Sequence, residues 1–150
     1  MAGLGRVTGV SRVYASPAVG PPGQPGFLNA AVLIETEIAP EELRWRLRRI
    51  ESDLGRVRSD DKYAARPIDL DLVLYDDLVV DVATLRLPDP ELLTRGYLAV
   101  TVAELSPERR HPLTGETMAT IAGRLASPGR LMERPDVVLE AASDEGRRGR

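Results

Sequence analysis

The stretch ARPIDLDLVLYDD, residues 65–77, decides how the rest of the chain is read. Ile68, Leu70, Leu72 and Leu74 recur at every second position, the period of a strand with one buried face, so the pattern predicts a strand over 67–75. Asp69 and Asp71 fall on the opposite face, where side chains two apart emerge together. Two parallel carboxylates repel unless a cation relieves them. A hard divalent ion does this well, and Mg²⁺ commonly uses one or two carboxylates together with substrate phosphates. An edge strand with a solvated acidic face is the other reading of the pair. Asp76 and Asp77 then turn the chain into a short strand over 78–80.

Upstream of the pair, Arg56, Arg58 and Arg66 bracket a polar loop over 57–66. Guanidinium forks match phosphate oxygens, so carboxylates preceded by arginines suit a polyphosphate, while ordinary surface arginines remain the alternative. No GxxxxGK[ST] run is present, and Lys62, the sole lysine, follows no glycine loop; nucleotide binding here would not use a P-loop. A helix is expected from Pro40, a favoured first helical residue followed by Glu41 and Glu42. Leu43, Leu47, Ile50 and Leu54 give it one apolar face, and Gly55 is expected to end it in a left-handed cap.

Two strand-like runs, 6–15 and 27–36, flank SPAVGPPGQPG (16–26), whose four prolines and three glycines suit neither helix nor ladder. Such a rigid loop can present backbone N–H and C=O groups to a small planar ligand. Asn29 could read a donor–acceptor edge, and Phe27 and Tyr97 could sandwich a flat ring. Each residue alone fits a strand amide or a core aromatic equally well. Downstream, Pro88-Asp89-Pro90 breaks the chain, 91–104 is expected to be helical in parts, and Met118, Ile121 and Leu125 mark a last amphipathic helix. A loose polar tail is expected over 127–150, leaving 1–126 as one domain of mixed helices and strands.

Composition narrows the chemistry. With no cysteine, disulfides, thiolate metal sites and cysteine nucleophiles are excluded; with one histidine, His111, His-rich metal sites are excluded. A net charge of −3 argues against general nucleic-acid binding. No apolar run suits a membrane span and no secretory leader is evident, so a cytoplasmic protein is expected.

Taken in order, SRVYASPAVGPPGQPGFLNAAV (11–32), IESDLGRVR (50–58), ARPIDLDLVLYDD (65–77), LPDP (87–90) and TRGYLAV (94–100) resemble the 6-hydroxymethyl-7,8-dihydropterin pyrophosphokinase family over residues 10–112. The resemblance implies an α+β, ferredoxin-like sandwich with a mainly antiparallel sheet. It also implies transfer of pyrophosphate from ATP to the pterin hydroxymethyl group, with release of AMP, on the way to folate. Asp69 and Asp71 match the pair that holds two Mg²⁺ ions. Arg56, Arg66 and Arg95 match arginines on the ATP phosphates, Arg58 and Tyr63 lie in the mobile catalytic loop, and Glu51 matches the acidic residue beside the nucleotide. Ser16, Pro17 and Val19 match the loop whose backbone meets the pterin. Asn29 matches its edge-reading amide, and Phe27 and Tyr97 match the stacking pair. Two departures stand out. The family's first strand and helix have no counterpart before residue 10, and Asp89 stands where a histidine usually touches ATP phosphate. They raise a second expectation, a catalytically impaired pterin-binding or interaction protein. They also imply a homodimer in which a second copy covers the short N-terminal edge.

Overall fold

The computed structural model describes residues 3–16, 27–57, 68–126 and 131–138. In chain order the elements are β1 (Arg6–Val10), β2 (Tyr14–Ser16), β3 (Phe27–Asn29), β4 (Val32–Glu35) and α1 (Pro40–Val57). There follow β5 (Val80–Val82), β6 (Leu85–Leu87), a 3₁₀ turn (Pro90–Leu93), α2 (Gly96–Leu105), α3 (Met118–Leu125) and β7 (Met132–Glu133). All strand pairing among these elements is antiparallel, and the architecture is α+β of the ferredoxin-like class.

The two strand-like runs form one hairpin broken at a common level. β1 pairs with β4 and β2 with β3. Between them Ser11 N donates to Ala31 O at 2.9 Å, and Ser11 Oγ accepts from Ala31 N at 2.8 Å. A buried hydroxyl thus satisfies the backbone where the ladder bends. β7 adds to the other edge of β2, with Arg134 N donating to Val13 O. The expected tail therefore contributes a strand at Met132–Glu133.

α1 starts at Pro40 as expected, and Leu43 and Leu47 join Leu4 in a buried cluster flanked by Ile34, Ile38, Ile50, Leu70, Leu72 and Tyr75. The helix corrects two expectations. Leu54 is exposed, because the core that receives the apolar stripe ends near Ile50. Gly55 lies within the helix, which continues to Val57; glycine permits a left-handed cap but does not compel one where the helical ladder can propagate.

A second cluster is sealed completely. Leu92 of the 3₁₀ turn, Ala99 of α2, and Met118 and Ile121 of α3 are all 0% exposed. The first residue of α2 is Gly96, where a Cβ would lie 2.9 Å from Leu125 O, so only glycine lets α2 begin this close to the end of α3.

Residues 68–75 run between the two clusters, and here the sequence expectation needs its main correction. The segment is not a laddered strand. Leu70 and Leu72 face the α1 cluster, whereas Val73 and Leu74 pack on the α2–α3 cluster, so the alternation fails at 73–74. Its polar backbone is satisfied elsewhere: Leu70 N donates to the Glu51 carboxylate and Val73 O accepts from Asp89 N at 2.9 Å. Alternation secures burial, but a strand also needs a neighbour's N–H and C=O groups. Leu78 N closes the expected turn onto Tyr75 O, and the following strand is Val80–Val82 rather than 78–80, paired with β6.

Candidate active site

Asp69 and Asp71 both point outward from the 68–75 segment, with Leu70 turned inward between them. The local alternation that put the two carboxylates on one face therefore survives the loss of the ladder. Asp71 is the more perturbed group. Partial burial raises its carboxyl above the ordinary range, Arg48 opposes this, and Asp69, Asp89 and Glu51 each push it further up. Four acidic residues from three parts of the chain thus share one electrostatic environment.

Glu51 anchors this edge. Its side chain, 8% exposed on the last turns of α1, accepts from Arg48 Nη1 at 2.8 Å and from the backbone N–H of Leu70. The residue expected beside a nucleotide therefore also fixes the peptide between the two aspartates. Arg48 reaches further, with Nη2 3.8 Å from Asp71 Oδ1. Sequence reasoning missed Arg48; its signal is the i, i+3 spacing to Glu51, which aligns the two on one helix face.

Asp89 caps the 3₁₀ turn, its Oδ1 accepting from Glu91 N at 2.9 Å, with Pro90 as the first residue of the turn. The D-P-E pattern carries that signal, since Asp before Pro is a favoured helix-start arrangement. Arg95 sits at the start of α2, exposed and 3.6 Å from Glu91 Oε1. Tyr97, the second residue of α2, is half-buried. Burial raises its hydroxyl first, then the charge of Glu91; Arg95 lowers it, and Asp71 and Asp89 raise it further. Tyr97 thus lies in the field of the acidic edge.

Two of the residues expected to hold the ring or read its edge, Phe27 and Asn29, lie on β3. Phe27 is 61% exposed at its start, and α2, which carries Tyr97, packs against β3. Asn29 Nδ2 donates to Tyr14 O at 3.3 Å, so its amide is held by the hairpin. The side chains of Ser16 and Arg56, and all of Pro17, Val19, Arg58, Tyr63 and Arg66, lie outside the described residues.

The donor chemistry fits Mg²⁺ in one specific way. Among the described residues no three His, Cys, Asp or Glu side chains converge as a self-sufficient metal cage. Asp69 and Asp71 instead offer hard oxygens on an exposed edge where partial burial and then acidic neighbours disfavour the bare Asp71 carboxylate, the donor set suited to a cation that completes its shell with ligand phosphates.

Residues 1–107 match the family model described as 7,8-dihydro-6-hydroxymethylpterin-pyrophosphokinase. The chain belongs to this family. It is 37% identical over 105 residues to the 2-amino-4-hydroxy-6-hydroxymethyldihydropteridine pyrophosphokinase of Synechocystis sp., covering 70% of this chain and 53% of that one. Against the Pseudomonas aeruginosa enzyme of the same name it is 35% identical over 107 residues, 71% of this chain and 65% of that one. It is also 35% identical over 124 residues to the folic acid synthesis protein fol1 of Schizosaccharomyces pombe, covering 83% of this chain and 17% of that one. The chain therefore spans about half to two thirds of the length of these bacterial pyrophosphokinases. All of the acidic edge, from Glu51 to Tyr97, lies inside the matched region.

Proposed function

We propose that this pyrophosphokinase-family chain transfers pyrophosphate from ATP to 6-hydroxymethyl-7,8-dihydropterin and releases AMP. The observation that supports this best is the paired exposure of Asp69 and Asp71 on an edge anchored by Glu51, inside the region that matches the family. In this reading Asp69 and Asp71 hold Mg²⁺, two ions with ATP. When bound, the metal supplies neutralisation of charge on the phosphate oxygens. Arg95, at the N-terminus of α2, is assigned with Arg56 and Arg66 to the ATP phosphates, and Arg58 to the catalytic loop. Asp89 borders that side from the cap of the 3₁₀ turn, and Glu51 acts there by fixing Leu70 between the aspartates. Phe27 and Tyr97 hold the ring, Asn29 reads its edge, and Ser16, Pro17 and Val19 supply backbone contacts.

In the transfer, a bond forms between the hydroxymethyl oxygen and the β-phosphorus, and the bond from that phosphorus to the α,β-bridging oxygen breaks. AMP leaves with that oxygen. As that bond forms, the hydroxyl proton passes to water or to the Asp71 carboxylate. Most of the catalysis is then positioning and charge neutralisation, as is usual for phosphoryl transfer.

The purified chain, incubated with ATP, Mg²⁺ and the reduced pterin, is expected to release AMP. Release no greater than that of a D69A/D71A double variant would refute the proposal. The departure at Asp89 motivates a second reading, a pterin-binding protein impaired in transfer; calorimetry would then show pterin binding without Mg·ATP binding.

A further inference from the structure

We propose that Arg48 is a built-in counter-cation for the aspartate pair, holding Asp71 by charge and competing with a divalent ion for its carboxylate. The proposal rests on reading Asp69 and Asp71 as a metal site, and it assigns a positioning role to a residue outside that pair.

The guanidinium of Arg48 spans two acidic partners from different parts of the chain. One nitrogen is 2.8 Å from Glu51 Oε1 on its own helix, and another is 3.8 Å from Asp71 Oδ1 on the 68–75 segment. Glu51 is nearly buried, and its second oxygen takes the Leu70 N–H, so the anchor of the guanidinium is fixed to the peptide joining the two aspartates. α1, Leu70 and Asp71 therefore form one charge-linked unit. The like charges of Asp69, Asp89 and Glu51 all act on Asp71, and Arg48 offsets them. A planar, always-charged fork on a tethered stem suits this position, because it can keep its hydrogen bond to Glu51 while releasing the longer contact to Asp71.

Competition follows from Coulomb's law. A divalent ion on the Asp71 carboxylate must share that site's field with a positive charge already present, so Arg48 lowers the affinity for metal alone. Phosphate oxygens brought by a nucleotide would offset this opposition. The edge is thereby biased toward taking metal together with a phosphate-bearing substrate.

The test is binding of Mn²⁺ alone to the full chain, without nucleotide or turnover, read by the electron paramagnetic resonance of free Mn²⁺. R48Q is expected to bind Mn²⁺ roughly three- to tenfold more tightly than the native chain. R48K, which keeps the charge, is expected to stay within about twofold of it. Unchanged or weaker binding by R48Q overturns the proposal, since a purely structural arginine would not oppose metal. Should R48Q fail to fold by circular dichroism, the native chain still decides. The ¹⁵Nε resonance of Arg48 is expected to shift during a Mg²⁺ titration with the midpoint of metal binding, and a stationary resonance overturns the proposal. D71N separates the two levels of inference. Loss of Mn²⁺ binding in D71N with no gain in R48Q removes only the role of Arg48. Absence of binding in both the native chain and R48Q, or equal binding in D71N, removes the metal site and the role of Arg48 together.

Discussion

The α2–α3 core and the acidic edge at the end of α1 are built on opposite principles, and residues 68–75 touch both. In the core, Leu92, Ala99, Met118 and Ile121 exclude water completely and carry no charge. At the edge, Glu51, Asp69, Asp71 and Asp89 gather like charges near Arg48, and partial burial first, then these neighbours, raise the Asp71 carboxyl above its ordinary range. Unfavourable charge persists there because the neighbouring apolar packing over-determines the backbone that carries it. The core supplies position, and the edge supplies a field.

Breaking the edge should cost activity and spare the fold. D71N is expected to lower AMP release on the order of 10³-fold, the scale of losing a principal charge-stabilising group. Because the native carboxylate is opposed by burial and by its acidic neighbours, the thermal midpoint of D71N should equal or exceed that of the native chain. A clear drop in melting temperature would show that the pair is structural instead.

Breaking the core should do the reverse. I121A removes a side chain with no exposed surface and is expected to destabilise by about 2–5 kcal/mol in urea unfolding. Turnover per folded molecule would change far less than in D71N; a matching 10³-fold loss would dissolve the distinction between the regions.

A third test lies between them, where α2 is tied to the hairpin. Burial alone would raise the Glu104 carboxyl, but hydrogen bonds from Arg12 N, the Arg12 guanidinium and the Tyr14 hydroxyl outweigh it and hold it low. With a depressed folded value the unfolded chain binds the proton more readily. This tie is therefore fully present above the ordinary carboxylate range and is lost as pH falls through the folded value. E104Q should lose about 1 kcal/mol at neutral pH and flatten the acid limb of the stability profile. An unchanged acid limb would assign that limb to other groups.

The smallest effect is expected on the β5–β6 hairpin, whose Arg86–Asp81 pair is exposed on both sides at 3.2 Å. R86A should shift stability by no more than about 0.5 kcal/mol, measured by the same urea titration. A larger loss would mean that this pair does more than an exposed ion pair does.

Much of this was legible in the chain itself. Pro40 with Glu41 and Glu42 announced α1, Met118 and Ile121 announced α3, and Asp69 and Asp71 announced the paired carboxylates, because capping, period and spacing are local properties. The order of the motifs also carried the family, which the match over residues 1–107 shows. Three features were not legible. The 68–75 segment looked like a strand because burial alternates along it, yet pairing depends on a partner that no single segment specifies. Met132–Glu133 looked like tail, yet they complete an edge of β2. Arg48 had no assigned role in the sequence, because its contact with Asp71 exists only once the 68–75 segment is brought to α1.

The sequence by itself determined which residues carry charge, which faces are apolar and where helices begin, since these follow from neighbours a few positions away. Only the tertiary structure decided that Glu51 holds the peptide between the aspartates and that Arg48 stands against Asp71. Those contacts join residues about 20 positions apart, and they exist only once Leu70 and Leu72 are buried against α1.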